Sequence, residues 1–270
     1  MMWTTRPRSD LPGGISAVRK GRGDPVILIH GVGLTADSWG GQIDALAERF
    51  AVTAVDLPGH GASARLDPAA GIRDWVDAIA SAVADIAPPY RIAGHSLGAL
   101  LALHFAVRYP ERCGRVAALN TIYRRAPEAA RSVQARAESL SGTGRPDPTP
   151  TLERWFGADL GGAPAQACRT WLETVDLAAY ADAYRLFAHA DSPEDAALSG
   201  LPCPALFLTG GAEPNSTPDM SRMLADRVPR GRSVIVPDAA HMAMMTHPAA
   251  VNAALLEFFT GETMVGGHGD

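Results

Sequence analysis

"YRIAGHSLGALLALHFAV", residues 90–107, holds two backbone patterns back to back. Residues 90–95 form a short apolar run of strand length, and residues 97–107 are apolar on every side, as a fully buried helix is. Pro110 closes the helix. Only Ser96 stands between the two elements. A chain passing from strand to helix across one residue must turn sharply, and the small residues Gly94 and Gly98 permit it. The G-x-S-x-G stretch thus reads as strand, tight turn and helix, with the Ser96 hydroxyl lifted clear at the sheet's upper edge. The helix start offers unpaired N–H groups and a partial positive charge, which suit a developing oxyanion.

Strand and helix patterns alternate on both sides of this turn. Short β-branched runs occur at 26–30, 51–56, 115–120, 205–210 and 233–238. Near-continuous apolar runs of this length suit strands buried on both faces of a parallel sheet. Between them, residues 71–87 carry Ile72, Trp75, Val76, Ile79, Val83 and Ile86 at helical spacing. Thr217 and Pro218 are placed as N-cap and first residue of another helix. This order predicts an α/β fold with a doubly wound, mostly parallel sheet. The rhythm breaks at 121–200, where aromatic-rich short helices predict a helical cap inserted into a core of 14–120 and 201–260. Residues 1–13 and 261–270 read as loose termini.

Composition narrows the function classes. The formal net charge is −5, which argues against nucleic acid as a partner. The longest apolar stretch is too short to span a bilayer, so no membrane is expected. The start lacks the apolar core of a signal peptide, and Cys113, Cys168 and Cys203 show neither metal-site spacing nor a disulfide framework. A cytoplasmic enzyme acting on a small molecule, without metal or cofactor, is the expectation. Nothing in the sequence specifies an oligomeric state.

A serine hydroxyl needs a base to become a nucleophile. Among the eight histidines, His241 follows the last strand run and sits in a loop able to reach Ser96. His30, His60 and His95 adjoin turns, and His247 precedes Pro248; all four read as structural. Glu213 lies one helix and one strand before His241, so both emerge at the same sheet edge. The order serine, acid, histidine is complete with Ser96, Glu213 and His241.

With "HGVG" at 30–33, "DLPGHG" at 56–61, "GHSLG" at 94–98 and the final histidine loop, the chain resembles the α/β-hydrolase superfamily over about residues 14–260. The resemblance implies an oxyanion hole from the amides of Val32 and Leu97. The general shape is similar to the cap-bearing enzymes that open esters, enol-lactones and ring-cleavage diketones. One position departs from the pattern: the family usually has Asp where Glu213 stands. Asp219 is the nearest other carboxylate, and Asn120, where some members carry the acid after the sixth strand, cannot balance an imidazolium. Glu213 is taken as the acid.

Acyl transfer by a Ser–His–acid triad on a small ester or lactone is the leading reading. C–C bond hydrolysis on the same triad is the alternative, and a non-catalytic ligand-binding protein on this fold is the third. "GVGLTA" at 31–36 with Asp56 also fits a dinucleotide fingerprint, but that leaves Ser96, Glu213 and His241 without a role. For the substrate, Arg124 and Arg125 sit where the sheet hands over to the insert, and either would suit a carboxylate. Trp155 is the insert aromatic expected to touch substrate.

Overall fold

Most of the β-branched runs become strands buried on both faces; the last forms a half-buried edge strand. The computed structural model describes residues 3–140, 144–157 and 159–261. Its strands are β1 (Ser9–Leu11), β2 (Ile15–Lys20), β3 (Asp24–Ile29), β4 (Phe50–Val55), β5 (Tyr90–His95), β6 (Cys113–Leu119), β7 (Ala205–Gly210) and β8 (Gly231–Val236). They form one sheet in the order β1-β2-β4-β3-β5-β6-β7-β8. From β4 to β8 every neighbour pair is parallel; β1–β2 and β2–β4 are antiparallel. Central residues such as Ile27, Leu28, Ile92 and Phe207 are fully buried, as strands covered on both faces require.

Around the sheet run α1 (Gly40–Leu46), α2 (Ile72–Ala82), α3 (Leu97–Arg108), α9 (Pro218–Arg227), α10 (Ala243–Thr246) and α11 (Pro248–Thr260). Between β6 and β7 lie α4 (Pro127–Ser139), α5 (Thr149–Phe156), α6 (Ala163–Thr174), α7 (Leu177–His189) and α8 (Asp195–Ser199). α3 packs against β5, β6 and α2, with its apolar stretch from Leu97 through Leu103 buried without interruption. α2 is shorter than its stripe predicts: it ends at Ala82, and turns carry the chain to Pro88–Pro89. Prolines cannot extend a helix, and the residue before one is pushed out of the α region. Thr217 caps α9 as expected, its hydroxyl accepting from the Met220 amide. Among the described residues no helix is long and apolar enough to cross a membrane.

The start of the chain corrects the reading of residues 1–13 as loose. Residues 9–11 pair with β2 as an edge strand. Arg8 forms ion pairs of 2.7 Å with both Asp37 and Asp56, and Arg6 pairs with Asp44 at 2.8 Å. Burial opposes the Arg8 charge, but its bonds to the two carboxylates outweigh that and hold its pKa above the usual value. A Pro/Arg-rich stretch looks solvated in sequence because its buried partners lie 29 and 48 residues away. The tail from 262 lies outside the described residues.

Asp56 is also accounted for here. Besides Arg8, its carboxylate accepts from the Ala36 amide at 2.7 Å. It is completely buried and tied to the loop it would have to leave free for a nucleotide ribose.

Candidate active site

Four loops meet at the carboxyl ends of the parallel strands. The sharpest is the turn after β5. Ser96 has φ 56° and ψ −117°, a conformation a side chain adopts only where the surroundings impose it. Those surroundings are crowded: a Cβ on Gly94 would lie 1.9 Å from the Gly98 carbonyl oxygen, and one on Gly98 2.2 Å from that of Ile29. The spacing G-x-S-x-G is thus a packing requirement, and Ser96 is the residue it leaves half-exposed. Leu97 opens α3, so its N–H has no acceptor within the helix.

The loop after β3 is fastened by two buried histidines. His30 Nδ1 donates to the Gly31 carbonyl at 2.7 Å, and its Nε2 accepts from the Leu57 amide. His60 Nε2 accepts from the Gly33 amide at 3.0 Å, and its Nδ1 donates to the Pro58 carbonyl. Burial lowers the pKa of both rings, which keeps them neutral and able to accept. With Gly31 and Gly33 both held, the Val32 peptide between them is fixed on the cavity wall.

Glu213 leaves the end of β7 and folds its own loop. Its Oε1 accepts from the amides of Asn215 at 2.7 Å and Ser216 at 3.3 Å. Its Oε2 accepts from His241 Nδ1 at 2.7 Å and from Asn120 Nδ2 at 3.3 Å. Burial alone would raise the Glu213 pKa; the charge and hydrogen bond of His241, with the two amides, overcome this and hold it at about 2. The extra methylene relative to Asp is taken up by this short turn. Asp219, the other candidate acid, points to solvent and pairs with Arg222 at 2.7 Å.

His241 donates from Nδ1, which leaves Nε2 as the proton acceptor. Two rings fix it. Trp155 stacks on it at 5.9 Å with 25° between planes, and His95 lies 4.8 Å away. His95 Nε2 also donates to the His241 backbone carbonyl at 2.9 Å. Burial and the proximity of His241 push the His95 pKa down to about 3, so the ring stays neutral. Ser96, His241, Val32 and Trp155 line one cavity of about 550 Å³. The Ser96 hydroxyl makes no hydrogen bond to His241 among the described residues. Such contacts often tighten only when substrate binds.

A depressed carboxylate pKa has a stability consequence whose sign is fixed. Glu213 favours the folded state above its ordinary pKa, near 4.3. That contribution fades as pH falls from about 5 towards 2. Urea unfolding of wild type and Glu213→Gln is expected to differ by on the order of 2–3 kcal/mol at pH 6, by roughly half of that at pH 3, and to converge only below about pH 2. A gap independent of pH would show that the carboxylate does not carry it.

This geometry agrees with comparison to other proteins. Residues 26–254 match the model of the alpha/beta hydrolase family. The chain belongs to that family. It is 36% identical over 238 residues to the (E)-2-((N-methylformamido)methylene)succinate hydrolase of Acinetobacter baylyi, covering 87% of this chain and 90% of that one. It is 32% identical over 254 residues to the pimeloyl-[acyl-carrier protein] methyl ester esterase of Chromobacterium violaceum, covering 88% and 94%. A thermophilic esterase from Thermogutta terrifontis, solved with malate bound, superposes with a TM-score of 0.84 at 26% identity, covering 95% and 99%. The chain is a hydrolytic enzyme of this family, which removes the non-catalytic reading.

The two arginines singled out in the sequence part company in this hydrolase. Arg125 lines the cavity. Arg124 does not: it has φ 52°, is largely exposed and pairs with Asp195. The turn at Arg124 sends neighbouring side chains apart, and Asp195 captures the outer one. Sequence reading missed Arg136 and Arg154, which reach the cavity from α4 and α5. Both sit in polar helical stretches that look like solvated faces. It also set Asn120 aside, although that amide donates to Glu213.

Proposed function

We propose that this enzyme hydrolyses a small carboxylic ester or lactone through an acyl-enzyme on Ser96. The observation that carries the reading is the 2.7 Å bond from His241 Nδ1 to Glu213, on the wall of the cavity that Ser96 lines. Ser96 Oγ attacks the substrate carbonyl as His241 Nε2 takes its proton. The amides of Val32 and Leu97 hold the oxyanion. His241 returns the proton to the leaving oxygen as the carbonyl–oxygen bond breaks. Water, deprotonated by His241, then releases the acid and restores Ser96. The insert acts as a cap that walls the cavity. The buried, free cysteines fit a cytoplasmic setting.

A second reading has a specific support. The similar protein from A. baylyi is named for a formamido-bearing succinate. An amide carbonyl is open to the same steps, with His241 protonating the leaving nitrogen. The succinate in that name and the malate bound to the T. terrifontis esterase favour a carboxylate-bearing substrate. C–C bond hydrolysis would need only a carbon leaving group, but neither of the relatives above 30% identity described here is named for it.

Covalent labelling tests the nucleophile. Treatment with diisopropyl fluorophosphate is expected to add one phosphoryl group, mapped by mass spectrometry to the Ser96 peptide and absent in Ser96→Ala. Loss of p-nitrophenyl butyrate hydrolysis should track the labelling. Label on another residue, or full activity in a labelled enzyme, would overturn the assignment.

A further inference from the structure

The cavity carries an unbalanced charge. Arg125, Arg136 and Arg154 all line it, and no Asp or Glu does. Most other guanidiniums near the insert have carboxylate partners: Arg65 pairs with Asp182, Arg124 with Asp195 and Arg169 with Glu173. None of the three cavity arginines has one within ion-pair distance among the described residues.

Their neutral partners are few. Arg136 and Arg154 converge on a single hydroxyl: each donates from Nη2 to Thr151 Oγ1, at 2.9 and 3.0 Å. Two guanidiniums drawn to one oxygen repel each other, and Arg154 has its pKa lowered by burial and then by Arg136. The Nε of Arg136 is buried without a hydrogen-bond partner. An orphan donor on a cation inside a cavity is costly unless something occupies the site. Arg125 donates to the carbonyls of Phe187 and Ala188 and packs 4.8 Å over the Phe187 ring. Burial lowers its pKa as well. Stacking of Arg125 on Phe187 and of Arg136 on Tyr184 holds the guanidiniums in place without neutralising them.

We propose that this cavity binds a dicarboxylate acyl substrate, with Arg136 and Arg154 gripping one carboxylate and Arg125 the other. The proposal rests on the hydrolase reading for the acyl group, but the anion site stands on the arginines alone. It assigns substrate selection to α4, α5 and the segment after β6. The cap thereby becomes a specificity element as well as a wall. A neutral ester would leave the half-buried Arg125 and Arg136 and the more exposed Arg154 unanswered, whereas a dianion answers them with charge-assisted, bidentate bonds.

Binding to the Ser96→Ala protein separates this proposal from the catalytic one, because it needs no turnover. Isothermal titration with succinate and with butyrate is the experiment, in parallel on Ser96→Ala alone and on Ser96→Ala carrying Arg136→Gln, Arg154→Gln or Arg125→Gln. Succinate is expected to bind at least about 100-fold tighter than butyrate, and each arginine loss to weaken succinate by about 10- to 100-fold; butyrate, with one carboxylate, should be weakened only by loss of the arginines at the site it occupies. Arg136→Lys, which keeps the charge but not the fork, should recover only part of the affinity. A thermal melt on each variant identifies any that fails to fold, and Arg154→Gln, on the more exposed residue, remains as the soluble probe. Equal affinities for succinate and butyrate, or arginine variants with unchanged succinate binding, would overturn the proposal. A failure to label Ser96 would leave these binding results intact and would count only against the acyl-enzyme.

Discussion

Glu213→Gln is expected to lower kcat on p-nitrophenyl butyrate by about 10⁴-fold with little change in KM, in line with loss of the correct histidine tautomer in serine triads. The local hydrogen bonds say why a nearly isosteric change should be so damaging. Oε1 of Glu213 accepts from two backbone amides, those of Asn215 and Ser216, which cannot turn away. A glutamine must therefore place its carbonyl oxygen there. Its amide nitrogen then occupies the position of Oε2 and faces His241 Nδ1 as a donor. His241 can meet a donor only by accepting at Nδ1, which moves its own proton to Nε2. In that tautomer it cannot take the proton from Ser96. Glu213→Asp keeps the charge but shortens the reach, and a loss between wild type and Gln is expected. Steady-state kinetics at pH 7.5 measure both. A Gln variant within about tenfold of wild type would mean that another group orients His241, and the acid would have to be sought elsewhere.

How much of this was legible in the sequence depends on how local the cause was. Ser96 was readable because strand, turn and helix sit within 18 consecutive residues and the glycines either side are dictated by contact. Strands β3 to β7 were readable because burial on both faces leaves a nearly unbroken apolar run, and the edge strand β8 because Val234, Ile235 and Val236 keep such a run. β2 was not, since its far end is exposed and its apolar residues are few. Glu213 and His241 were readable as positions after successive strands; what the sequence did not show is how a glutamate fits there, through the Asn215 and Ser216 amides that hold its Oε1. The arginine cluster was the least legible part. Arg136 and Arg154 are 18 residues apart on different helices and meet only through Thr151. Arg124 and Arg125 are adjacent, and only a backbone angle decides which one faces in.

Arg8→Ala is expected to cost about 3–5 kcal/mol of stability, the range for stripping one partner from buried charges. It should lower the melting temperature by roughly 10 °C in a chain of this size. Arg8 is the counter-ion of two carboxylates at once: Asp37 is 3% exposed at its side chain and Asp56 not at all. The geometry is a bridge, with Nε on Asp56 and Nη1 and Nη2 on Asp37. Only a guanidinium spans both, so Arg8→Lys should recover less than half of the loss. The effect reaches the site as well as the fold. Asp56 also holds the Ala36 amide, and the Ser63 hydroxyl donates to the Asp56 carbonyl. Through these bonds Arg8 steadies the segment that follows Val32 and the turn carrying His60. Differential scanning calorimetry gives the stability, and kcat on a neutral ester well below the melting temperature gives the coupling to the site. A melting shift under about 3 °C would show that water reaches both aspartates, and that the first residues are as loose as their composition suggests. A large shift with kcat preserved at 25 °C would confine Arg8 to stability. A large shift with kcat lowered severalfold would mean that the N-terminal bridge also sets the Val32 amide, which the proposed mechanism assigns to the oxyanion.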